Sequence, residues 1–434
     1  MIKQRVNRSR PWFWVPSLYF SEGLPYVAVM TISLIMYKRL GLSNGEIAFY
    51  TSWLNLPWVI KPLWSPFVDL IKTKRAWIVA MQSLIAAGLA GVAFFIPTTF
   101  FVQATMAFFW LLAFSSATHD IAADGFYMLG LSEGEQSLFV GIRSTFYRLA
   151  MIFGQGLLVM VAGLMEQGKI IVSTKGNIPL AWSLIFYVMA ALFIGLALYH
   201  SGALPHPAAD APRKDTTARQ LLKNFVETFG SFFRKKNIGL IFFFLLTYRL
   251  GEAQLVKIAS PFLLDNRDMG GIALDTASVG FIYGTIGVIA LLLGGILGGV
   301  AVSKRGLKRW IIPMAIAINL PNLLYVWLAM AQPDNVWIAG GCVAIEQLGY
   351  GFGFTAFTLY LIYAAQGEHS TAHYAIGTGF MALGMMIPGM VAGWIQEMIG
   401  YTGFFVWVCI CTIPGIIAAM LVRNKLPEMF GRLQ

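Results

Sequence analysis

Seven ionisable residues stand inside long apolar runs of this 434-residue chain: Glu22, Asp120, Asp124, Arg148, Arg249, Glu252 and Glu346. The runs reach the roughly 20 residues that cross a bilayer. A charge at the bilayer centre costs several kcal/mol by the cautious scales, about 2.5–3.5, and it faces a partner or a wet path. Carboxylates in such places bind and release protons, and guanidinium groups hold acidic groups. The pattern implies that something moves through the membrane.

Asp120 and Asp124 are four residues apart and share a helix face. The chain then turns near Ser132–Gln136, and equal counting from that turn sets Asp124 level with Arg143 and Asp120 level with Arg148. Opposite charges at one depth relieve much of each other's desolvation. Arg143 and Arg148 are five apart, about 140° round a helix, so only one points at the preceding span and the other is left to a cavity. Two readings stand, an ion-pair ladder that holds the hairpin and a site for proton and solute. His119 has the imidazole chemistry to pass a proton near neutral pH, and its plain alternative is a hydrogen-bonded packing histidine.

Arg249 and Glu252 are three apart and pair along one helix. Glu346 has no basic residue in its own run, which suits it to proton exchange. Glu22 is flanked by Ser21, Gly23 and Pro25, the marks of a locally opened helix. The proton-coupling candidates are therefore Glu22, His119, Asp120, Asp124, Glu252 and Glu346. The solute-binding candidates are Tyr19, Arg143, Tyr147, Arg148, Tyr248 and Arg249, the rings serving to stack on sugars or, alternatively, only to pack. Trp53 and Tyr350 are further aromatics near these charges, and Lys61 and Lys257 read as snorkelling residues, Lys257 nearer the outer surface.

The elements that position these groups follow from composition. The chain is 58% hydrophobic and 12% charged, with mean hydropathy +0.69, against about 25% charge in soluble domains. Continuous runs such as Ile78–Ile96 and Gly280–Val302 do not alternate, which excludes a β-barrel. About twelve spans are predicted, centred near Met30, Trp58, Ala87, Ser115, Gly154, Ala190, Gly251, Gly287, Leu320, Gly351, Met385 and Gly415. With both termini in the cytoplasm, roughly 21 of the 31 basic residues fall inside and about 5 outside. The basic start reads as the flank of the first span rather than a signal peptide. The polar stretch Ser201–Asn237 predicts a flexible proline-rich linker and then an amphipathic surface helix over Thr216–Phe233. The predicted domains are 1–200, a six-helix bundle; 201–237, a cytoplasmic linker; and 238–434, a second bundle. Short matches between the halves (Tyr19 and Tyr248, KRAW and LKRW, FYRLAM and FMALGM) recur at offsets of about 229–234 residues, as a duplication gives.

The net charge of +11 lies in loops between spans and does not point to nucleic acid. Cys342, Cys409 and Cys411 form no disulfide framework and no metal spacing. No phosphate-cradling loop or nucleophile elbow is present, so no cofactor and no enzymatic reaction is expected, and an ion gradient is the expected driving force.

The six-plus-six plan, with Asp69, Lys74 and Arg75 between the second and third spans, resembles the major facilitator superfamily. Pro66 replaces the leading glycine of its signature loop, and the second-half loop GGVAVSKRGLKR lacks the aspartate. The stretches YFSEGLP (Tyr19–Pro25), KPLWSPFVD (Lys61–Asp69), SSATHDIAAD (Ser115–Asp124), YRLAM (Tyr147–Met151), YRLGEA (Tyr248–Ala253) and IEQLGYGFGFTAF (Ile345–Phe357) look like AmpG-type muropeptide permeases. Glu22 and His119 depart from that pattern, where smaller or amide residues are typical. The resemblance implies an all-α membrane protein with twelve helices in two pseudo-symmetric bundles, acting by alternating access as a monomer. It implies proton-driven import of anhydro-muropeptides (N-acetylglucosamine, anhydro-N-acetylmuramic acid and a short peptide) across the bacterial inner membrane for peptidoglycan recycling. Asp69, Lys74, Arg75, Lys304, Arg305, Lys308 and Arg309 are the expected cytoplasmic gate. Acetyl-CoA transporters and some siderophore permeases look similar, so those solutes stay open, as do a non-transporting receptor and a lipid-precursor flippase.

Overall fold

In hydrocarbon the backbone of a lone segment meets its hydrogen bonds only by coiling on itself. The computed structural model describes residues 11–211, 218–367 and 369–432, and these are helical through most of their length. In chain order the helices are α1 Val15–Val27, α2 Ser33–Arg39, α3 Asn44–Trp53, α4 Leu56–Ile71, α5 Lys74–Phe95, α6 Phe101–Gly130, α7 Glu133–Met151, α8 Val159–Glu166 and α9 Ile178–Ala203. There follow α10 Ala218–Phe233, α11 Ile238–Thr247, α12 Leu250–Leu264, α13 Thr276–Val279, α14 Gly287–Arg305, α15 Leu307–Asn319, α16 Asn322–Ala331, α17 Val336–Ala365, α18 Ser370–Cys411 and α19 Ile413–Arg423.

Ten stretches among the described residues are long and apolar enough to cross a membrane. One of them, Ala372–Arg423, is 52 residues long and is broken at Gly400, where φ is 70° and only glycine sits without strain. The seventh span expected from sequence is also interrupted. Tyr248 and Arg249 separate α11 from α12, and Arg249 has a non-helical backbone there. π-Helical stretches link α1 to α2 (Ala28–Ile32), α7 to α8 (Ile152–Leu158) and α13 to α14 (Gly280–Ile286). Such widened turns recur at functional sites.

The packing divides the chain into two compact units. The first comprises 1–32, 63–154 and 165–221. In it α5 lies against α6 and α9, and α1 against α7. Trp14, Leu18, Tyr19, Ile78, Phe126 and Phe139 form a buried core. The second comprises 33–62, 155–164 and 222–434. Here α14 packs on α17, α12 on α18, α3 on α18 and α15 on α17. Lipid tails give no hydrophobic drive for helix association, so close backbone approach through small residues matters. A side chain on Gly351 of α17 would stand 2.0 Å from the Leu291 carbonyl oxygen, and one on Gly393 of α18 would stand 2.0 Å from that of Asn44.

Candidate functional site

In the first unit, α1, α6 and α7 bring one ring of charges together. Arg143 Nη2 lies 3.1 Å from Asp124 Oδ1, the depth match read from the hairpin. The Tyr19 hydroxyl donates to the same oxygen at 3.1 Å. The guanidinium stacks over the rings of Tyr19 at 4.6 Å and Tyr127 at 5.1 Å. Both charged side chains keep a third or so of their surface open, 31% for Arg143 and 41% for Asp124, so the pair can trade a bond for one to a solute. The capping box of Ser132 with Glu135 starts α7 and sets this register. One helical turn further along, the Tyr147 phenol lies in the field of Tyr26, Glu22, Asp120 and Arg148. Glu22 is reached because α1 and α7 touch at Gly23, where a Cβ would stand 2.7 Å from the Tyr147 carbonyl oxygen.

His119 lies with a different set of groups, one not read from the sequence. Its Nε2 is 3.0 Å from Gln82 Nε2, and Gln82 also meets His200 Nδ1 at 2.9 Å and Ser21 Oγ at 3.0 Å. His200 reaches Ser17 Oγ at 2.9 Å. His119, Gln82, His200 and Ser21 are all completely buried. Their hydrogen bonds tie α1, α5, α6 and α9 together.

The basic loop residues Lys74 and Arg75 are tied to the segment that follows α9. Asp210 accepts from the amides of Lys74 at 2.6 Å and Arg75 at 3.1 Å, placing a carboxylate on the α5 N-terminus. Arg75 donates from Nε to the Leu204 carbonyl oxygen at 3.3 Å and from Nη2 to that of Ser201. The segment expected to be a flexible linker is therefore anchored as far as Asp210, although 212–217 and the side chain of Asp69 lie outside the described ones. In the second unit Lys308 pairs with Glu428 at 2.6 Å, and Lys304, Arg305 and Arg309 are exposed or nearly so. Lys235, just before α11, caps α17 by donating to the carbonyl oxygens of Ala364 and Gln366 at 2.7 Å each, and partial burial holds its amine below the usual lysine range.

The second unit gathers Arg249, Glu252, Tyr283, Glu346 and Tyr350. Arg249 meets Glu252 Oε2 from Nη2 at 2.9 Å and from Nε at 3.2 Å. It also donates to the Tyr350 hydroxyl at 2.6 Å. Its guanidinium lies 4.8 Å from the Phe354 ring and 5.3 Å from that of Tyr350. The break before Leu250 turns Arg249 into this aromatic pocket while α12 starts with Glu252 in its first turn. Glu346, 3% exposed, accepts from Gln347 at 2.9 Å. The phenol of Tyr283, in the π-helical stretch, lies in the field of both Glu346 and Glu252. Tyr325 faces Glu346 from α16. The arrangement holds one carboxylate against a fixed cation and a second, buried one against neutral hydrogen-bonding groups. Tyr248, expected to touch solute, donates to the Gly353 carbonyl oxygen at 2.9 Å and packs on Phe244 and Phe357.

Lys257 corrects the sequence reading. It does not snorkel; it is 5% exposed and donates to Thr51 Oγ1 at 3.1 Å. α3 and α18 cover it, so its stem has no route to a membrane surface. A lone buried ammonium costs several kcal/mol, and a hydrogen bond to a charged group returns about 1.5–3 kcal/mol. Nearer the end of α12, Lys38 pairs with Asp265 Oδ1 at 2.6 Å. It also donates to Asn44 at 2.8 Å. Asn44 in turn donates to Gln396 at 2.7 Å and to Tyr401 at 2.9 Å. Lys38 was legible only as a loop charge, because its acidic partner, Asp265, lies more than 200 residues away in sequence.

Solved structures share this architecture. A nucleoside transporter, NupG, superposes with a TM-score of 0.67 at 18% identity, covering 97% of this chain and 100% of that one. A D-xylose–proton symporter gives 0.69 at 12% identity over 97% and 98%. A POT family transporter in complex with 5-aminolevulinic acid gives 0.70 at 12% identity over 95% of each. By sequence, the anhydromuropeptide permease of Escherichia coli strain K12 is 27% identical over 421 residues, 94% of this chain and 79% of that one. The putative transporter AmpG 4 of Rickettsia conorii is 25% identical over 414 residues, 93% and 94%. The profile of the Major Facilitator Superfamily matches residues 17–387. Buried charges carried on interrupted helices thus belong to a recognised transport scaffold, and the chain is a member of the Major Facilitator Superfamily.

Proposed function

We propose that this chain is a proton-coupled symporter that imports anhydro-muropeptides, or a related amphiphilic sugar–peptide, across the bacterial inner membrane. The observation that carries the proposal is Glu346, a buried carboxylate set among neutral groups beside the Arg249–Glu252 pair. Protonation of Glu346 removes an internal charge and biases alternation between states. Arg249 in one unit, and Arg143 with Arg148 in the other, supply cations for the solute's acidic groups. The solute class is supported by similarity to the E. coli anhydromuropeptide permease. In this reading twelve spans form two bundles, 1–200 and 238–434, with both termini and the 201–237 connection in the cytoplasm, where basic residues concentrate. Lys74, Arg75, Lys304, Arg305, Lys308 and Arg309, with Asp69, close that side, and the chain works as a monomer.

The test is transport by purified protein in proteoliposomes. Glu346→Gln, fixed in the neutral form, is expected to exchange labelled anhydro-muropeptide across the membrane but to lose accumulation driven by a pH gradient. Gradient-driven accumulation at the wild-type rate in Glu346→Gln overturns the role of Glu346.

A further inference from the structure

Lys257 and Ser52 are a buried cation and a buried hydroxyl whose hydrogen-bonding capacity is not filled. Among the described residues Lys257 Nζ makes one bond, to Thr51 Oγ1 at 3.1 Å, and an ammonium carries three donors. The Thr51 hydroxyl sends its own proton to the Ile47 carbonyl oxygen at 2.7 Å. Ser52 is completely buried, and among the described residues its Oγ has no hydrogen-bond partner. The Ser52 hydroxyl and the Lys257 stem both pack on Gly389 of α18. The point where Gly389 would carry a Cβ is 2.9 Å from Ser52 Oγ and 3.4 Å from Lys257 Cε.

Among the described residues no carboxylate lies within ion-pair distance of Lys257. Those on the elements packed around it are taken. Glu252, on the same helix, holds Arg249. Asp265, beyond the end of that helix, holds Lys38. Glu397 of α18 accepts from the Gly45 amide at 2.7 Å. Glu46 caps the N-terminus of α3. The site also lies at a helix interruption. α3 stops at Trp53, and Leu54 and Asn55 intervene before α4 begins at Leu56. Transporters build ion and solute sites at such discontinuities.

We propose that Lys257, steadied by Thr51, and Ser52 form a docking point for one small anionic group, a carboxylate or another oxyanion, which pairs with the ammonium and accepts a hydrogen bond from the Ser52 hydroxyl. The proposal deepens the transport reading above, because a solute's own carboxylate and a free anion share this chemistry. Neither sequence pattern nor resemblance assigned the site.

The experiment is thermal unfolding of the full-length protein in nanodiscs, at constant ionic strength, with wild type, Lys257→Met and Ser52→Ala. The probes are acetate, inorganic phosphate, and anhydro-muropeptide with free or amidated carboxyl groups. In wild type at least one anionic probe is expected to raise the unfolding midpoint saturably. Lys257→Met should lower the apparent affinity for that probe by at least about tenfold, the loss of a charge-assisted pair, and Ser52→Ala by less. A rise with acetate or phosphate alone identifies a free anion. A rise only with the free-acid solute identifies the solute's own group. Equal responses of wild type and both variants to every probe overturn the proposal. The readout is binding, so a failure of proton-driven uptake in vesicles leaves it unchanged.

Discussion

The Arg249–Glu252 pair yields an asymmetric prediction. Both side chains are about nine-tenths buried, 10% and 7% exposed, and share two hydrogen bonds. Removing one partner of a buried pair costs about 3–5 kcal/mol, because the other charge is stranded. The two halves are not equivalent. A stranded carboxyl can exist as the neutral acid, whereas a guanidinium does not deprotonate in proteins. Tyr350 and the rings of Phe354 and Tyr350 remain beside Arg249, and such a desolvated cation–π contact returns about 2 kcal/mol. Glu252→Leu is therefore expected to cost about 3 kcal/mol, toward the lower end of that range, and Arg249→Met less. The double variant, with no charge left, should fall within about 1 kcal/mol of wild type or above it. Denaturant titration in micelles measures all four corners of the cycle. Uptake should separate the double variant from wild type despite its recovered stability, by about ten- to a hundredfold, the worth of one hydrogen bond to a charged group. A double variant as unstable as Glu252→Leu refutes the ledger. A stable double variant that transports at the wild-type rate refutes a solute role for Arg249.

Three other outcomes are expected. Gly351→Ala places a methyl 2.0 Å from the Leu291 carbonyl oxygen and should destabilise by about 1–3 kcal/mol or more, whereas Gly341→Ala on the same helix meets nothing within 4 Å and should be neutral or stabilising; unfolding titrations of the two compare them directly. Asp265→Ala removes the acceptor of Lys38 and Tyr401, and amide exchange at Asn44–Ile47 should quicken by about tenfold, with unchanged exchange counting against the network. Partial burial acts to raise the Asp275 carboxyl, but the hydroxyl of Ser278 and the amides of Ser278 and Ala277 outweigh it and hold the group below its ordinary range. This cap's stabilisation is present above the unfolded-state pKa and is lost as pH falls through the depressed folded one. Asp275→Ala should cost about 1 kcal/mol at neutral pH and remove that acid-dependent step, seen by stability measured against pH.

Helix positions, the hairpin of α6 with α7 and the Asp124–Arg143 pair were legible because each depends on local spacing. Arg249 with Glu252 was legible for the same reason, three residues apart on one helix. The break at Tyr248–Arg249 was not, since no proline or glycine precedes it there and tertiary contacts from Tyr350 and Phe354 hold the guanidinium. Lys257 was misread because an amphipathic stem can reach either lipid headgroups or a partner, and only the packing of α3 and α18 decides between them. Gln82 and His200 escaped notice because a single polar residue in an apolar run has no periodic signature, and their contact spans 118 residues of sequence. Asp210 escaped because its role needs the α5 N-terminus, which arrives from 135 residues away.

Proteoliposomes loaded at neutral pH and diluted into acidic buffer with radiolabelled anhydro-muropeptide test the account most directly. Wild-type protein should accumulate solute above the external concentration, collapse to equilibration when a protonophore is added, and respond to the sign of the imposed gradient. Uptake of the same extent with, without or against that gradient contradicts it.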